Sequence, residues 1–296
     1  AVVTLVFFVV RMAPGDPAQV ILGDSASQES LESLRGELGL DRPILLQYGE
    51  FLFSVLRGDL GESIIRKQSI NTIVAEVMPY TIELTVAGVL MGVIFGIPLG
   101  VFSAVFRNSV ADYITRIGSL LGLSFPAFYS GILLLLAFSV YLGWFPVVSD
   151  PDMDNWGERL HMLILPAMNL GLIMMAYVVR SARSSMLETL GEDYIRTAKA
   201  KGLPEFIILY KHGLKNALIP VITIIGLYLG VLVGNSVLTE IVFNRPGLGK
   251  LILAALDERD YHLLQGLMVI YAFIIVLVNL VTDLTYGMVD PRIRKQ

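Results

Sequence analysis

The chain has 296 residues, of which 55% are hydrophobic and only 16% are charged. A water-soluble domain carries about 25% charged residues. This chain therefore has too little polar surface to cover a globule of its size, and its composition predicts a membrane protein. The formal net charge of −4 decides little, but the absence of cysteine excludes disulfides and thiolate metal sites. The three histidines stand alone in the sequence, without the spacing of metal ligands.

The first predicted element is the apolar stretch AVVTLVFFVV at residues 1–10. It is too short to cross a bilayer, which takes roughly 20 apolar residues in a helix. A secretory signal also contains a short apolar stretch, but a basic segment precedes it and a small-residue cleavage site follows it. Here the next residues are RMAP. We therefore expect residues 1–10 to be the end of a first transmembrane helix whose beginning precedes Ala1.

Residues 11–78 are soluble in character and form the next predicted part. A serine cap followed by Leu31, Leu34 and Leu38 at helical spacing predicts one amphipathic helix. The stretch PILLQYGEFLFSVLRG predicts a second, which ends at Gly58. Such a segment would either lie on the membrane as a cap or dock a protein from outside, and composition does not choose between the two.

Five apolar stretches long enough to cross the membrane follow. The predicted spans are residues 79–106, 117–142, 161–180, 217–239 and 264–285. Glycine and proline recur in them, as is common in membrane helices, and Pro126 is expected to kink its span. Buried helices of a large soluble core are the alternative, but the chain has too few polar helices to cover them. With residues 1–10, the pattern predicts an all-α polytopic membrane protein of six transmembrane helices.

Lysine and arginine set the orientation, because loops rich in these residues stay in the cytoplasm. One set of alternate loops and the tail holds Arg107, Arg116, the basic residues from Arg180 to Lys215, Arg292, Arg294 and Lys295. The other set, residues 143–160 and 240–262, holds only Arg159, Arg245, Lys250 and Arg259. We expect the first set and the C-terminus to be cytoplasmic, and residues 11–78 to be extracytoplasmic.

A charged stretch, residues 192–215, separates two of the apolar spans. Its residues 194–201 predict a short helix that ends at Gly202, and Pro204 suits the first turn of a second short helix. The small residues Ala198 and Ala200 would let the backbone of a partner come close, so the stretch is suited to transmitting force. A basic amphipathic helix that rests on anionic lipid is the alternative.

The stretch DYIRTAKAKG, residues 193–202, resembles the EAA loop of binding-protein-dependent ABC transporter permeases, above all their dipeptide, oligopeptide and nickel branch. The resemblance covers essentially the whole chain. Other matching motifs, in chain order, are RMAPGDPA (11–18), ELGLDRP (37–43), GDLGES (58–63), GLSFPAF (122–128), LGWFPV (142–147), FNRPGLGKL (243–251), RDYHLLQG (259–266) and DPRIR (290–294). The general EAA pattern has Glu and Ala where Arg196 and Thr197 stand, and Pro where Lys215 stands. These departures are typical of the peptide branch.

The resemblance implies a six-helix type I ABC importer permease fold, with the first helix truncated in this sequence. Its implied parts are the end of the first transmembrane helix at 1–10, an extracytoplasmic soluble segment at 11–78, and a transmembrane permease core at 79–296 with a cytoplasmic EAA coupling loop at 181–216. The implied partners are a second homologous permease subunit, two ATP-binding cassette ATPases, an extracytoplasmic substrate-binding protein and membrane lipid, with no nucleic acid. The implied location is the bacterial or archaeal cytoplasmic (inner) membrane.

The implied function is to form half of the translocation pathway for di- or oligopeptides, with a nickel chelate, glutathione or an oligosaccharide as alternative substrates. The resemblance places the ATPase contact on Tyr194, Arg196, Thr197, Ala198, Lys199, Ala200, Gly202 and Leu203. From the residues themselves, Ser124, Pro126, Asn169 and Asn235 are candidates for lining the pathway. The two asparagines are equally suited to hydrogen bonds between helices. Glu83 lies near the outer end of its span, where snorkelling or capping is expected.

The sequence predicts no catalytic, metal-binding or nucleotide-binding site in the chain itself. The stretch NRPGLGKL contains Gly-Lys, but a phosphate-binding loop needs glycine where Asn244 stands and Ser or Thr where Leu251 stands. An intramembrane enzyme would need paired acids, a metal set or an activated nucleophile at bilayer depth. A secondary transporter commonly shows inverted repeats and buried ionisable residues. We find neither pattern and expect no catalytic residue, metal or cofactor, with ATP bound by partner subunits.

Overall fold

The computed structural model describes residues 2–12, 17–23, 26–37, 39–148 and 155–289, and these are mostly helical. The helices in chain order are α1 Val2–Met12, α2 Pro17–Leu22, α3 Gln28–Glu37, α4 Ile44–Leu56, α5 Ile70–Val105, α6 Val110–Ser124, α7 Ala127–Leu134, α8 Trp156–Gly191, α9 Asp193–Ala200, α10 Glu205–Ile207, α11 Lys215–Val242, α12 Leu248–Asp257 and α13 Tyr261–Val289. π-Helical segments extend α7 through Leu135–Tyr141 and join α10 to α11 through Ile208–Leu214. The predicted helix position Leu38 and the tail motif DPRIR lie outside the described residues.

Four helices of the described residues are long and apolar enough to cross a membrane. They are Ile70–Val105, Trp156–Gly191, the continuous helix Glu205–Val242, and Tyr261–Thr285. All four begin before the residue predicted from sequence, because polar residues continue each helix past its apolar stretch. The second short helix expected after Gly202 has no end of its own, since α10 runs into α11.

The predicted span 117–142 is a bent pair, which counts as a fifth span if the pair makes one crossing. Helix α6 already begins at Val110, where Ser109 caps it by accepting a hydrogen bond of 3.2 Å from the backbone of Asp112. Helices α6 and α7 meet at an angle of 110°. Phe125 is extended there (φ −94°, ψ 134°) because a residue before proline is disfavoured in the helical region. The predicted kink at Pro126 is confirmed, and it is a sharp corner.

The chain divides into two compact units. The first comprises Ala1–Tyr80 and Pro246–Ile275, and the second comprises Thr81–Arg245 and Val276–Gln296. In the first unit the fully buried ring of Phe7 stacks on Phe51, with ring centroids 5.4 Å apart, so that α1 packs on α4. The two amphipathic helices predicted in this part are confirmed as α3 and α4.

Close packing of α5 on α8 builds the second unit. Four glycines of α5, four residues apart, face side chains of α8 at the same spacing; the pairs are Gly88 with Leu170, Gly92 with Met174, Gly96 with Val178, and Gly100 with Ala182. A Cβ atom added at any of these glycines would lie 2.5–2.8 Å from the facing side chain. Small residues at this spacing let membrane helices approach closely. The apolar core forms around this contact and includes Leu84, Val221 and Leu232.

Candidate functional site

The short helix α9 lies between the long helices α8 and α11 and has one buried face. Ile195 is fully buried and Ala198 is 7% exposed, and both pack with Ile208 in a small apolar cluster. Leu190 and Leu203 close the edges of this cluster. The buried face of α9 therefore packs against its own chain at both ends of the helix, near the end of α8 and near the start of α10.

The opposite face of α9 is polar and open. Its exposed residues are Asp193, Tyr194, Arg196, Thr197, Lys199 and Ala200. Arg196 pairs with Asp193 at 3.2 Å, an exposed pair of small energetic weight. The Tyr194 hydroxyl donates to the backbone oxygen of His212 at 3.3 Å and accepts from Asn216 Nδ2 at 2.8 Å. Tyr194 thus links α9 to the beginning of α11.

The helix ends as the sequence predicts, at a glycine with a left-handed backbone. Gly202 has φ +75°, its N–H donates to the Lys199 oxygen at 2.9 Å, and the Leu203 N–H donates to the Ala198 oxygen at 3.3 Å. No atom lies within 4 Å of a Cβ added at Gly202, so only the backbone conformation demands glycine there. Ala198 and Leu203 pack against their own chain. Of the two small residues expected to let a partner backbone come close, only Ala200 is therefore accessible to a partner. A contact between this loop and an ATPase stays a prediction.

The four candidate pathway residues lie in different environments. Asn169 is fully buried, where its Nδ2 donates to Ala127 O and to Thr239 Oγ1, both at 3.0 Å. Its Oδ1 accepts from Ser130 Oγ at 2.7 Å. Asn169 therefore joins α8 to α7 and α11, which is the interhelical role of a membrane asparagine.

The other three candidates are more exposed. Pro126 is exposed and stands directly before α7. Ser124 is exposed and donates to Leu120 O at 2.8 Å. Asn235 is partly exposed and donates to Val231 O at 3.1 Å. Both polar side chains therefore return to the backbone of their own helix, and a place on the pathway stays a prediction for all four residues.

Sequence reasoning missed the partners of Glu83. Its carboxylate pairs with Arg159 and, at 2.9 Å, with Arg245, whose side chain is only 3% exposed. Two arginines therefore reach Glu83, one from α8 and one from the end of α11, and the snorkelling or capping expected for Glu83 stays a prediction. Both arginines belong to the loops assigned to the same side as Glu83, and this shared side was the available signal.

Sequence reasoning also missed a buried ion pair near the C-terminal end of α8. Asp112 of α6 is fully buried, and Arg183 of α8 donates to it at 2.7 Å and 2.8 Å. No local pattern points to this pair, since its members are far apart in the sequence. Among the described residues, no group of three or more histidine and acidic side chains is arranged to hold a metal ion.

Long apolar helices packed around α8, with a short surface helix between α8 and α11, define an all-α polytopic membrane protein. Comparison with known proteins gives the family. Residues 96–295 match the family "binding-protein-dependent transport system inner membrane component", and residues 1–85 match the N-terminal family of the same transport components. The chain belongs to this family and is a transmembrane permease subunit of an ABC importer.

Curated relatives match almost the whole chain. It is 43% identical over 293 residues to the glutathione transport system permease protein GsiC of Pectobacterium atrosepticum, covering 99% of this chain and 94% of that protein. It is 41% identical over 294 residues to a putative peptide transport system permease protein of Brucella abortus, covering 99% and 94%. The resemblance to the peptide branch is confirmed.

Solved structures share the fold. A chain of the MetNI methionine ABC transporter, in an inward-facing conformation, aligns with a TM-score of 0.60 at 18% identity, covering 74% of this chain and 96% of that one. A chain of an amino acid ABC transporter aligns with a TM-score of 0.55 at 14% identity, covering 74% and 94%. The predicted ABC importer permease fold is therefore confirmed.

Proposed function

We propose that this subunit forms half of a translocation pathway for small peptides, glutathione included, and that α9 couples the pathway to ATPases. The names of the curated relatives support the substrate class, since they are glutathione and peptide permeases. The observation that carries the coupling role is the two-faced α9. Ile195 and Ala198 hold one face to the chain, and the polar face between α8 and α11 is free for a partner.

The mechanism follows from how α9 is attached. Its apolar cluster and the bonds of Tyr194 tie it to the ends of α8 and α11, so a displacement of α9 moves both long helices. ATP is hydrolysed by separate ATPase subunits beneath this chain. The Gly-Lys stretch supports this, since Gly249 and Leu251 are buried at the start of α12, where they pack instead of cradling a phosphate. The basic residues around α9 favour a cytoplasmic location for this helix and for the C-terminus.

Residues 11–78 are proposed to lie outside the cell and to dock the substrate-binding protein. In α3 the exposed carboxylates of Glu29 and Glu32 outnumber the one cation, Arg35. An acidic surface attracts a partner with basic patches, and salt weakens this attraction. Replacing Glu29 and Glu32 by lysine should therefore lower the association rate of the binding protein at low salt. An unchanged rate would contradict the docking role and leave the permease role intact.

The experiment that tests the function is reconstitution of this chain with its companion permease and both ATPases in lipid vesicles, with the binding protein added. Labelled trialanine and glutathione should accumulate only with ATP and the binding protein, and the purified chain alone should hydrolyse no ATP. Sustained ATP turnover by the isolated chain would contradict the proposal. Uptake of a nickel chelate or an oligosaccharide in place of both peptides would replace the substrate class and keep the permease assignment.

A further inference from the structure

A cavity of about 370 Å³ lies within the second unit, between α8 and α11. Its walls are Tyr177, Arg180, Ser181, Ser184, Ile224 and Tyr228. The residues on α8 recur three or four positions apart, as do the two on α11, so each helix contributes one continuous face. These are the two helices that α9 connects. None of the residues was among the pathway candidates from sequence.

Two tyrosines form the aromatic wall of this cavity. The rings of Tyr177 and Tyr228 are stacked, with centroids 3.5 Å apart and an angle of 20° between their planes. One ring comes from α8 and the other from α11, so the stack persists only while the two helices keep their spacing. A displacement of α9 that parts the helices would also part the rings and open the cavity.

The polar wall holds a cation with no counter-ion. Arg183, one turn further along α8, donates twice to Asp112, and Arg159 and Arg245 share Glu83. In the part of the chain that the structure describes, Arg180 makes no ion pair, and the hydroxyls of Ser181 and Ser184 make no hydrogen bond. Arg180 is the last residue of the predicted span 161–180, where a charged side chain pairs, reaches the interface or lines a water-filled path. Arg180 differs from the paired arginines because it is exposed and lines the cavity without a carboxylate partner.

We propose that this cavity is a carboxylate-binding subsite of the translocation pathway, which takes the C-terminal carboxylate of a peptide substrate at Arg180. A guanidinium binds a carboxylate through two parallel N–H donors, and Ser181 and Ser184 add hydroxyl donors. The stacked tyrosines offer their ring faces to the rest of the peptide, a contact that tolerates varied side chains. The proposal rests on the peptide substrate proposed above. A lipid phosphate shares the anionic chemistry, and the experiments separate the two.

The first experiment measures the electrostatics of the cavity without any substrate. Ser184→Cys, in the reconstituted complex, is labelled with an anionic and with a cationic thiosulfonate, which is selective because the chain has no cysteine of its own. One nearby unit charge changes the ratio of the two rates by about tenfold. With Arg180 present, the anionic reagent should label Ser184→Cys faster than the cationic reagent by about this factor. We expect Arg180→Gln to abolish this difference. Arg116→Gln, an exposed arginine of α6, is the matched control. An unchanged ratio in Arg180→Gln overturns the proposal.

The second experiment compares uptake of trialanine with uptake of its C-terminal amide, each at saturating binding protein. The wild-type complex should prefer the free acid, Arg180→Gln should lower this preference about tenfold, and Arg180→Lys should keep part of it, because an ammonium retains the charge without the bidentate geometry. Arg116→Gln should keep all of it. A preference that survives in Arg180→Gln overturns the proposal, since the selection then occurs elsewhere. Wild-type uptake of neither peptide would refute the peptide function, and the labelling experiment would still decide whether the cavity attracts anions.

The third experiment separates peptide from lipid. Trialanine, but not its amide, should slow the labelling of the Ser184→Cys variant equally in vesicles of phosphatidylcholine alone and in vesicles that also contain phosphatidylglycerol. Protection that appears only with the anionic lipid, and that trialanine does not add to, would assign the cavity to a lipid headgroup and overturn the peptide subsite.

Discussion

Arg183 holds the buried carboxylate of Asp112 with two nitrogens, Nε to Oδ1 at 2.7 Å and Nη2 to Oδ2 at 2.8 Å. The same carboxylate accepts from Ser103 Oγ at 2.5 Å and from the backbone of Asn108 at 3.0 Å. One fully buried anion therefore ties α6 to α5 and α8, at the end of α8 that continues into α9. Its hydrogen bonds satisfy the charge that burial would otherwise penalise.

Breaking this pair from one side should destabilise the permease strongly. Removing one partner of a buried ion pair leaves an uncompensated charge and costs about 3–5 kcal/mol. We expect Asp112→Asn and Arg183→Gln each to lower the unfolding temperature of the purified protein in detergent. The double variant should lose less than the sum of the two, because no lone charge remains.

Arg116→Gln serves as the control for this cycle, since Arg116 is exposed on the same helix as Asp112. It should unfold at the wild-type temperature. Single variants that behave like Arg116→Gln, or losses that add in the double variant, would show that the pair contributes nothing specific.

Features that depend on residues close in the sequence could be predicted, and features that depend on contacts between distant residues could not. Apolar stretches and caps are local, so the long helices, the corner at Pro126 and the end of α9 at Gly202 follow from the sequence. The 110° angle at that corner depends on what α6 and α7 pack against, and no local rule provides it. Asp112 with Arg183, and Glu83 with Arg159, meet only because the helices fold together.

Helix α9 of the coupling loop shows the same difference between local patterns and long-range contacts. The sequence marks DYIRTAKAKG as a helix with small residues, and the family resemblance marks it as a contact surface. Which small residue faces outward is decided by Ile208, which packs on Ala198 from the other side of the loop. A single sequence contains no sign of that contact, so Ala198 and Ala200 look equivalent until the fold is known.

The glycines of α5 give the second stability prediction. Gly92→Ala would place a methyl group 2.5 Å from Met174 Cβ and 3.0 Å from the Met175 nitrogen, neither of which can move aside without shifting α8. Overpacking of this kind costs typically about 1–3 kcal/mol, and we expect a correspondingly lower unfolding temperature. Gly118→Ala on α6 is the matched control, because no atom lies within 4 Å of an added Cβ there. Alanine also favours helix by about 1 kcal/mol over glycine, so this control should unfold at the wild-type temperature or above it, and equal effects at both sites would contradict the close packing.

The two faces of α9 should respond differently to added charge. On the outer face, Arg196→Glu and Ala200→Glu should reduce ATP-driven uptake and stimulation of the ATPases while the unfolding temperature stays unchanged. On the inner face, Ala198→Glu should lower the unfolding temperature, because a carboxylate among Ile195 and Ile208 is desolvated without a partner.

Arg116→Glu, a charge reversal on an exposed position away from α9, controls for the change in net charge and should leave uptake unchanged. If Arg196→Glu and Ala200→Glu transport like the wild type, the outer face does not touch the ATPases. Loss of uptake in Arg116→Glu as well would show that charge in general, and not the α9 contact, is responsible.

The orientation of the chain can be decided with two single-cysteine variants, Ser33→Cys in α3 and Thr197→Cys in α9, because the native chain contains no cysteine. Both positions are accessible to solvent in part or in full, so a difference in labelling reports the side of the membrane and not burial. The excess of lysine and arginine around α9 predicts that position 33 faces outward and position 197 faces the cytoplasm. A membrane-impermeant maleimide should therefore label Ser33→Cys in cells whose outer membrane, if present, has been opened, and should label Thr197→Cys only after the inner membrane is broken.

The reverse labelling pattern would place α9 outside, where no ATPase reaches it, and the coupling role would fall together with the docking role of residues 11–78. Labelling of both variants in intact spheroplasts would instead mean that the chain crosses the membrane an even number of times between positions 33 and 197. Helices α5 and α8 are each long and apolar enough for one crossing. The bent pair α6 and α7 would then be a re-entrant loop that returns to the side from which it entered, and α9 would again lie out of reach of an ATPase.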